Sequence, residues 1–478
     1  MEKPFKSQEL ELDIDSLAFG GRGVARQDGF VIFVEGAVPG DRVRAVVTRA
    51  RRSYAEARVV ELLNGSPERK SAECAHFGTC GGCSWQTLTY EAQLRYKQQQ
   101  VIECLGHIGG IAGFELDEPI AADPFWRYRN KVEFSFAPGL PAESAEPAGP
   151  AAPAGHAVKD ATSGAAEIAL GFHLPGEWRH VVDIQDCLLH SQETNAIRNN
   201  IRGFARESGA AAWDQKTETG FWRHLVLREG INTGEIMVNV VTGPGEFPDR
   251  EKFVKQMTAA HPRIESLIWS VNDTRASVAT GFPFTVLAGH DHIYEEICGL
   301  RLKVSPRSFM QTNTLMAERL YERALQYAGL SGEEFVFDLY SGIGSIALYL
   351  ARSCAGVFGV EIVEDAVQLA DQNARENDVD NCRFVAGKVR AVLKDLAMDQ
   401  RPHLVVLDPP RAGASKKEVQ RIIELDAPRI VYISCNASTL AGNASQLAEA
   451  GYGLIKASAV DMFPHTPHIE VVALFEQG

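Results

Sequence analysis

The sequence predicts an α/β fold in three parts: a small N-terminal β-barrel, a central α+β unit and a C-terminal open sheet flanked by helices. Three observations carry this expectation. Short β-branched runs fill the first 65 residues, a cysteine-bearing segment follows them, and from about Val304 apolar strands alternate with amphipathic helical stretches. The 478 residues suffice for several domains, each with its own core.

Residues 1–65 make the first part. The runs 10–14, 29–34 and 42–47 read as strands, separated by the turns Phe19-Gly-Gly-Arg-Gly and Pro39-Gly-Asp. The stretch 42–58 holds six arginines (42, 44, 49, 51, 52 and 58) against one acid, Glu56. It reads either as a solvated, charged edge strand or as the phosphate-binding face of a small barrel that holds RNA. The second part, 66–300, opens on Cys74, Cys80 and Cys83, continues in a helical run over 88–105 and then alternates short strands with polar turns. It contains the insertion 138–166, rich in Ala, Pro and Gly, which is too poor in large apolar residues to offset its ordering entropy. A disordered surface loop with no catalytic part is expected there.

The third part, 301–478, carries the strands 335–340, 356–361, 404–408, 430–434 and 470–475, with helices between the earlier ones. Such alternation builds an open, largely parallel sheet whose ligands sit beyond the carboxyl ends of its strands. The net charge of −14 argues against a chain coated in nucleic acid, although one basic face suffices for phosphate contacts. The start, Met1-Glu-Lys-Pro-Phe-Lys, has no signal-peptide core, and no apolar run approaches a membrane span. A cytoplasmic protein is expected, with no obligate protein partner inferred.

The chemistry concentrates at strand ends. Asp338 ends in the turn Leu-Tyr-Ser-Gly-Ile-Gly, where Gly342 and Gly344 let the backbone bend sharply and approach a ligand. Glu361, seventeen residues beyond Gly344, ends the next strand and suits a ribose diol. The third glycine of a pyrophosphate loop is replaced by Ala347, which favours S-adenosylmethionine over NAD. Asp408 leaves its strand into Pro409-Pro410, and Cys435 follows Ile430-Val-Tyr-Ile-Ser beside Asn436. A free cysteine is ordinarily a small buried hydrophobe, but this one stands next to the expected cofactor crevice. Near the C-terminus, Asp461-Met-Phe-Pro-His-Thr-Pro-His-Ile-Glu470 holds two histidines, a thin basis for a metal site, and Glu470, the better candidate for a general base. Nine cysteines in a chain with no secretory signal disfavour a disulfide framework. Cys74, Cys80, Cys83 and the distant Cys187 instead have spacing for one metal centre, and zinc and an iron–sulfur cluster fit that spacing equally.

Together these strings resemble the RNA (uracil-5-)-methyltransferases, in particular the bacterial 23S ribosomal RNA branch, over nearly the whole chain. The resemblance implies a Rossmann-like class I methyltransferase domain at the C-terminus and an OB-like TRAM barrel at the N-terminus. It implies a 4Fe-4S cluster on Cys74, Cys80, Cys83 and Cys187, and S-adenosylmethionine as methyl donor. Gln311 in Ser305-Pro-Arg-Ser-Phe-Met-Gln, together with Tyr340, Glu361 and Asp408, matches cofactor contacts. Phe309 matches an aromatic that stacks on the target base, Cys435 the nucleophile and Glu470 the base. Tyr128-Arg-Asn-Lys resembles an RNA-contacting string, with Arg129 and Lys131 as its contacts. Lys388 departs from the acid that many such folds carry after that strand.

The expected reaction is methylation of carbon 5 of a uridine in 23S ribosomal RNA. Three alternatives stand beside it: the same reaction on tRNA, a DNA cytosine methyltransferase, and a non-catalytic RNA-binding protein with a structural metal site. The DNA enzymes place their cysteine after proline, whereas Ser434 precedes Cys435 here.

Overall fold

The computed structural model describes residues 3–139, 167–396 and 401–478, so the expected insertion lies outside the described residues from position 140 to 166. The N-terminal part is a six-stranded sheet built from β1 (Glu9–Asp13), β2 (Ser16–Leu17), β3 (Gly23–Gln27), β4 (Phe30–Glu35), β5 (Arg42–Ala50) and β6 (Tyr54–Asn64), in the order β1-β5-β6-β4-β3-β2. Alternate residues of β1 and β5 point inward onto Ile32, Val34 and Ala55, the period of two expected of a half-buried strand. The basic stretch is less open to phosphate than its composition implies. Arg42 reaches Glu11 at 3.2 Å, Arg44 reaches Glu61 at 2.5 Å, and Arg49 lies 4.0 Å from Glu56. Two of these three acids come from outside the run that the sequence count covered, supplied across the sheet by pairing of β5 with β1 and β6.

Helix α1 (Tyr90–Glu103) follows the cysteine segment, capped by Thr89, and runs into a π-helical turn at Cys104–Ile108. Although it falls in the expected central unit, it packs on the C-terminal sheet, as does the short strand β7 (Glu115–Leu116). The reason is burial: Val101, Cys104 and Leu105 complete the C-terminal core.

The central sheet comprises β8 (Lys131–Pro138), β9 (Ile168–Leu174), β10 (Glu177–Asp183), β11 (Trp222–Glu229), β12 (Ile236–Thr242), β13 (Ile264–Val271) and β14 (Phe284–Gly289), ordered β10-β9-β8-β11-β12-β13-β14. Two helices that the strand-and-turn expectation missed cover it, α2 (Gln192–Glu207) and α3 (Arg250–Ala260). The α2 pattern was hidden because its inward face mixes Ile197, Ile201 and Phe204 with buried Asn195, Arg198 and Arg202. Those three side chains grip loop carbonyls, among them Arg198 to Gln185 at 2.5 Å and Arg202 to Ile184 at 2.8 Å.

After the hairpin β15 (Ile293–Ile297) and β16 (Leu300–Val304) comes α4 (Thr314–Ala328), capped by the Asn313 side chain. The C-terminal elements are β17 (Phe335–Leu339), α5 (Ser345–Ala351), β18 (Gly356–Glu361), α6 (Glu364–Glu376), β19 (Cys382–Ala386), α7 (Val389–Asp395) and β20 (Leu404–Leu407). They continue with α8 (Lys416–Glu424), β21 (Arg429–Ser434), α9 (Ala437–Glu449), β22 (Tyr452–Val460) and β23 (Glu470–Gln477). The sheet runs β19-β18-β17-β20-β21-β23-β22-β7, with β19, β18, β17, β20 and β21 parallel and β23 antiparallel between β21 and β22. Among the described residues no helix is long and apolar enough to cross a membrane.

Candidate active site and a four-thiol pocket

Reading across the middle of the C-terminal sheet places the sequence-predicted groups in a row. Glu361 ends β18, Asp338 and Tyr340 lie at the end of β17, Asp408 follows β20 and Cys435 follows β21. Because β23 runs backwards, its first residue lies at the same edge: Ser434 pairs with Val471, so Cys435 and Glu470 are the next positions outward on neighbouring strands. One antiparallel strand thus sets a carboxyl beside a thiol that lies 35 positions earlier in the chain.

The turn after β17 is built for close approach. Tyr340, at φ +70°, and Ser341 both donate their amides to Val360. A Cβ at Gly342 (φ +54°) would meet nothing, which leaves this edge of the loop open, whereas one at Gly344 (φ +84°) would press on Phe384 at 3.0 Å. Glu361 is fixed through both oxygens, accepting from the Gly342 amide at 3.1 Å and the Val363 amide at 2.8 Å.

Two polar atoms along this edge, Ser341 Oγ and Glu470 Oε2, are buried with no hydrogen-bond partner. Buried polar groups are ordinarily satisfied, so orphans at these strand ends fit a polar ligand. The acids respond to that burial. Asp338 and Glu470 are held well above the usual carboxylate range by burial and then by the Asp408 charge, and burial pushes Asp408 itself up to about 7. The Cys435 thiol is pushed up to about 11, first by burial, then by the Glu470 and Asp408 carboxylates, with Arg411 acting in the opposite direction. Sequence reasoning gave Arg411 no role, because its influence is exerted through space.

Asn436 caps α9, accepting from the Ser438 and Thr439 amides, and donates to the Arg411 carbonyl at 3.1 Å. Asn443 accepts from the Ala414 amide at 3.1 Å and donates to the Ala414 carbonyl at 3.0 Å, so α9 grips the loop after Asp408 at two points. The Gln311 side chain is buried, and Phe309, two residues earlier, is 67% exposed in a structure whose aromatic rings are mostly inside. Asn130 holds this segment, donating to the Gln311 carbonyl at 3.0 Å and to Thr314 Oγ1 at 2.8 Å. Its neighbours are less free than the sequence suggested: Lys131 pairs with Glu133 at 2.6 Å, and Arg129 donates to the Lys131 carbonyl.

Cys74, Cys80, Cys83 and Cys187 line one pocket, away from this edge. Asn195 of α2 holds the backbone of Cys187 on both sides, accepting from its amide at 2.9 Å and donating to its carbonyl at 3.0 Å. A side chain at Gly81 would stand 2.9 Å from the His173 carbonyl, so the loop lies tight against the central sheet. Burial, together with mutual repulsion among the four, pushes the Cys80 and Cys83 thiols up to about 12. Among the described residues no group of three or more His, Cys, Asp or Glu side chains is arranged to hold a metal ion, the four cysteines included.

Comparison with known proteins places these features. A family model described as tRNA (uracil-5-)-methyltransferase matches residues 298–477, and a TRAM domain model matches residues 5–60. A protein of Halalkalibacterium halodurans, named an uncharacterized RNA methyltransferase, is 36% identical over 98% of this chain and 97% of its own. One of the same name from Chlorobaculum tepidum is 37% identical over 94% and 92%. Among solved structures, the tRNA (uracil-54, C5)-methyltransferase of Pyrococcus abyssi, in complex with S-adenosyl-L-homocysteine, matches with a TM-score of 0.72 and 28% identity over 98% of this chain and all of that one.

Proposed function

Since the chain belongs to the RNA methyltransferases that join a TRAM domain to a uracil-5-methyltransferase domain, we propose that it methylates carbon 5 of a uridine in 23S ribosomal RNA. The observation that carries the chemistry is the juxtaposition of Cys435 and Glu470 at adjacent strand ends beside Asp408.

Carbon 5 of uracil is a weak nucleophile. In the proposed reaction, Cys435, after losing its proton, adds to carbon 6, and the electron pair of the 5,6 double bond passes to carbon 5. S-adenosylmethionine, when bound, supplies the electrophilic methyl group that carbon 5 takes. Asp338, Tyr340, Glu361, Asp408 and Gln311 hold the donor, with the Gly342–Gly344 turn giving it close backbone approach. Glu470 then removes the proton left on carbon 5, the double bond re-forms and the Cys435 thiolate leaves. Glu470 must be ionised when it takes that proton, and a buried carboxylate is then a stronger base than an exposed one. Phe309 stacks on the target base once it leaves its helix, and Arg129 and Lys131 contact the RNA nearby.

The four-thiol pocket supports a 4Fe-4S cluster on Cys74, Cys80, Cys83 and Cys187. Four thiols, Cys187 buried and the others half-buried, line one site, and a metal centre would offset the repulsion among their thiolates. Iron and sulfide quantified in anaerobically purified protein test this assignment; zinc without iron refutes it.

The TRAM domain supports an RNA substrate, and the sequence resemblance supports ribosomal RNA. The full-length likeness to the Pyrococcus abyssi tRNA enzyme favours a second reading, the same reaction on a tRNA uridine. Incubating total undermodified RNA with radiolabelled S-adenosylmethionine, then mapping the product, separates the two: label confined to tRNA overturns the ribosomal reading.

A further inference from the structure

Glu470 Oε2 has no hydrogen-bond partner, so the placement of that oxygen rests on the backbone, held by the pairing of Glu470 with Val460 and by the stretch that joins the two. That stretch, residues 461–469, is clamped from outside the methyltransferase sheet. The Ser84 and Trp85 amides both donate to the His465 carbonyl, at 3.1 and 3.0 Å, directly after Cys83. Gln93, fully buried on α1, accepts from the His465 amide at 2.8 Å while its own amide donates to the Trp85 and Leu88 carbonyls at 3.1 Å each. Tyr128, which packs with Cys187, donates to the Pro464 carbonyl at 3.1 Å. His465 itself takes a positive φ of 66° and stacks on Trp126 with ring centroids 3.6 Å apart. Lys97 closes the other end, pairing with Asp461 at 2.5 Å and donating to the Phe463 carbonyl.

Ser84, Trp85, Gln93 and Tyr128 each make one hydrogen bond with the backbone of Pro464 or His465, six and five residues before the base. We propose that Gln93 and the Ser84–Trp85 segment are positioning elements for proton abstraction: they fix the Pro464–His465 turn, and through it Glu470, so that the cysteine loop is coupled to the second half of the reaction. This rests on Glu470 being the base. Loosening the turn then leaves thiol addition and methyl transfer in place and slows removal of the carbon 5 proton, so the methylated RNA stays covalently bound to Cys435.

The test is single-turnover methylation with labelled donor, separating free methylated RNA from RNA that stays attached to denatured protein. Glu470→Gln is the reference and is expected to accumulate the covalent adduct. Gln93→Leu is expected to do the same, with release slowed by about 10²-fold, the scale of an ångström of misplacement. Tyr128→Phe removes only the bond to Pro464 and is expected to slow release in the same direction; it decides the matter alone if Gln93→Leu does not fold. Folded variants that release product at the wild-type rate overturn the proposal. So does a parallel fall in methyl transfer and release, because a merely structural defect lowers both. A Glu470→Gln protein that releases product normally identifies a failure of the base assignment instead.

Discussion

At the scale of single residues, Cys435 is a thiol before it is a nucleophile. Burial and the Glu470 and Asp408 carboxylates hold its proton on, and Arg411 is the cation that acts against them. Arg411→Met is therefore expected to move the midpoint of Cys435 alkylation, measured as rate against pH, to higher pH. A midpoint that stays or falls would remove Arg411 from the activation of the thiol. Cys435→Ala is expected to abolish both turnover and adduct, and normal product formation by this variant would falsify its assignment as nucleophile. These candidate residues were legible in the sequence because strand-end position is a local property: Asp408, Cys435 and Glu470 each adjoin an apolar run. Arg411 and Gln93 were not legible, since their roles depend on distances between segments far apart in the chain.

At the scale of elements, the capping of α9 fixes the exit from β21. Asn436 satisfies two amides of the first turn and tethers the Arg411 carbonyl, so Asn436→Ala is expected to cost about 0.5–2 kcal/mol of stability, read from chemical denaturation. It is also expected to lower kcat more than the affinity for RNA, because the loop beside Cys435 loses its anchor; equal losses in both would place the effect elsewhere. The five apolar strands anticipated for the C-terminal sheet are present, with ends displaced by a residue or two. Three others were not anticipated: the two-residue β7, and β19 and β22, whose sequences Cys-Arg-Phe-Val-Ala and Tyr-Gly-Leu-Ile-Lys-Ala-Ser-Ala-Val mix polar and small residues into the strand. Helix α2 was missed for a related reason, as its buried arginines break the apolar stripe that marks a helix face.

For the whole molecule, the buried Lys97–Asp461 pair joins α1 to the segment before β23, with both side chains almost wholly out of water. Removing one partner leaves an uncompensated buried charge, and Lys97→Ala is expected to destabilise the fold by about 3–5 kcal/mol. A shift in denaturation midpoint corresponding to under about 1 kcal/mol, the range of exposed pairs, would show that water reaches the site. The strands of the N-terminal sheet and the alternation of strands and helices in the C-terminal one were legible from composition and periodicity. The docking of α1 and β7 onto the C-terminal sheet was not, because it depends on which core has room for Val101 and Leu105 rather than on any local pattern.

The row of acids has a consequence for the bookkeeping of protons. Asp408 stands at about 7 against an ordinary 3.8, so between those values the folded protein carries a proton that the unfolded chain has lost. Stability from this group is complete below about 4 and is lost as pH rises through 7. A sulfonium seated at this edge favours the ionised acids, so binding of the methyl donor is expected to expel protons and to tighten as pH rises through 7. S-adenosylhomocysteine, whose sulfur is neutral, lacks that drive, and the preference for fresh donor over spent product should widen with pH. Calorimetric titrations in two buffers of different ionisation enthalpy count the protons released; equal counts for the two ligands would show that the acids do not sense the charge on sulfur.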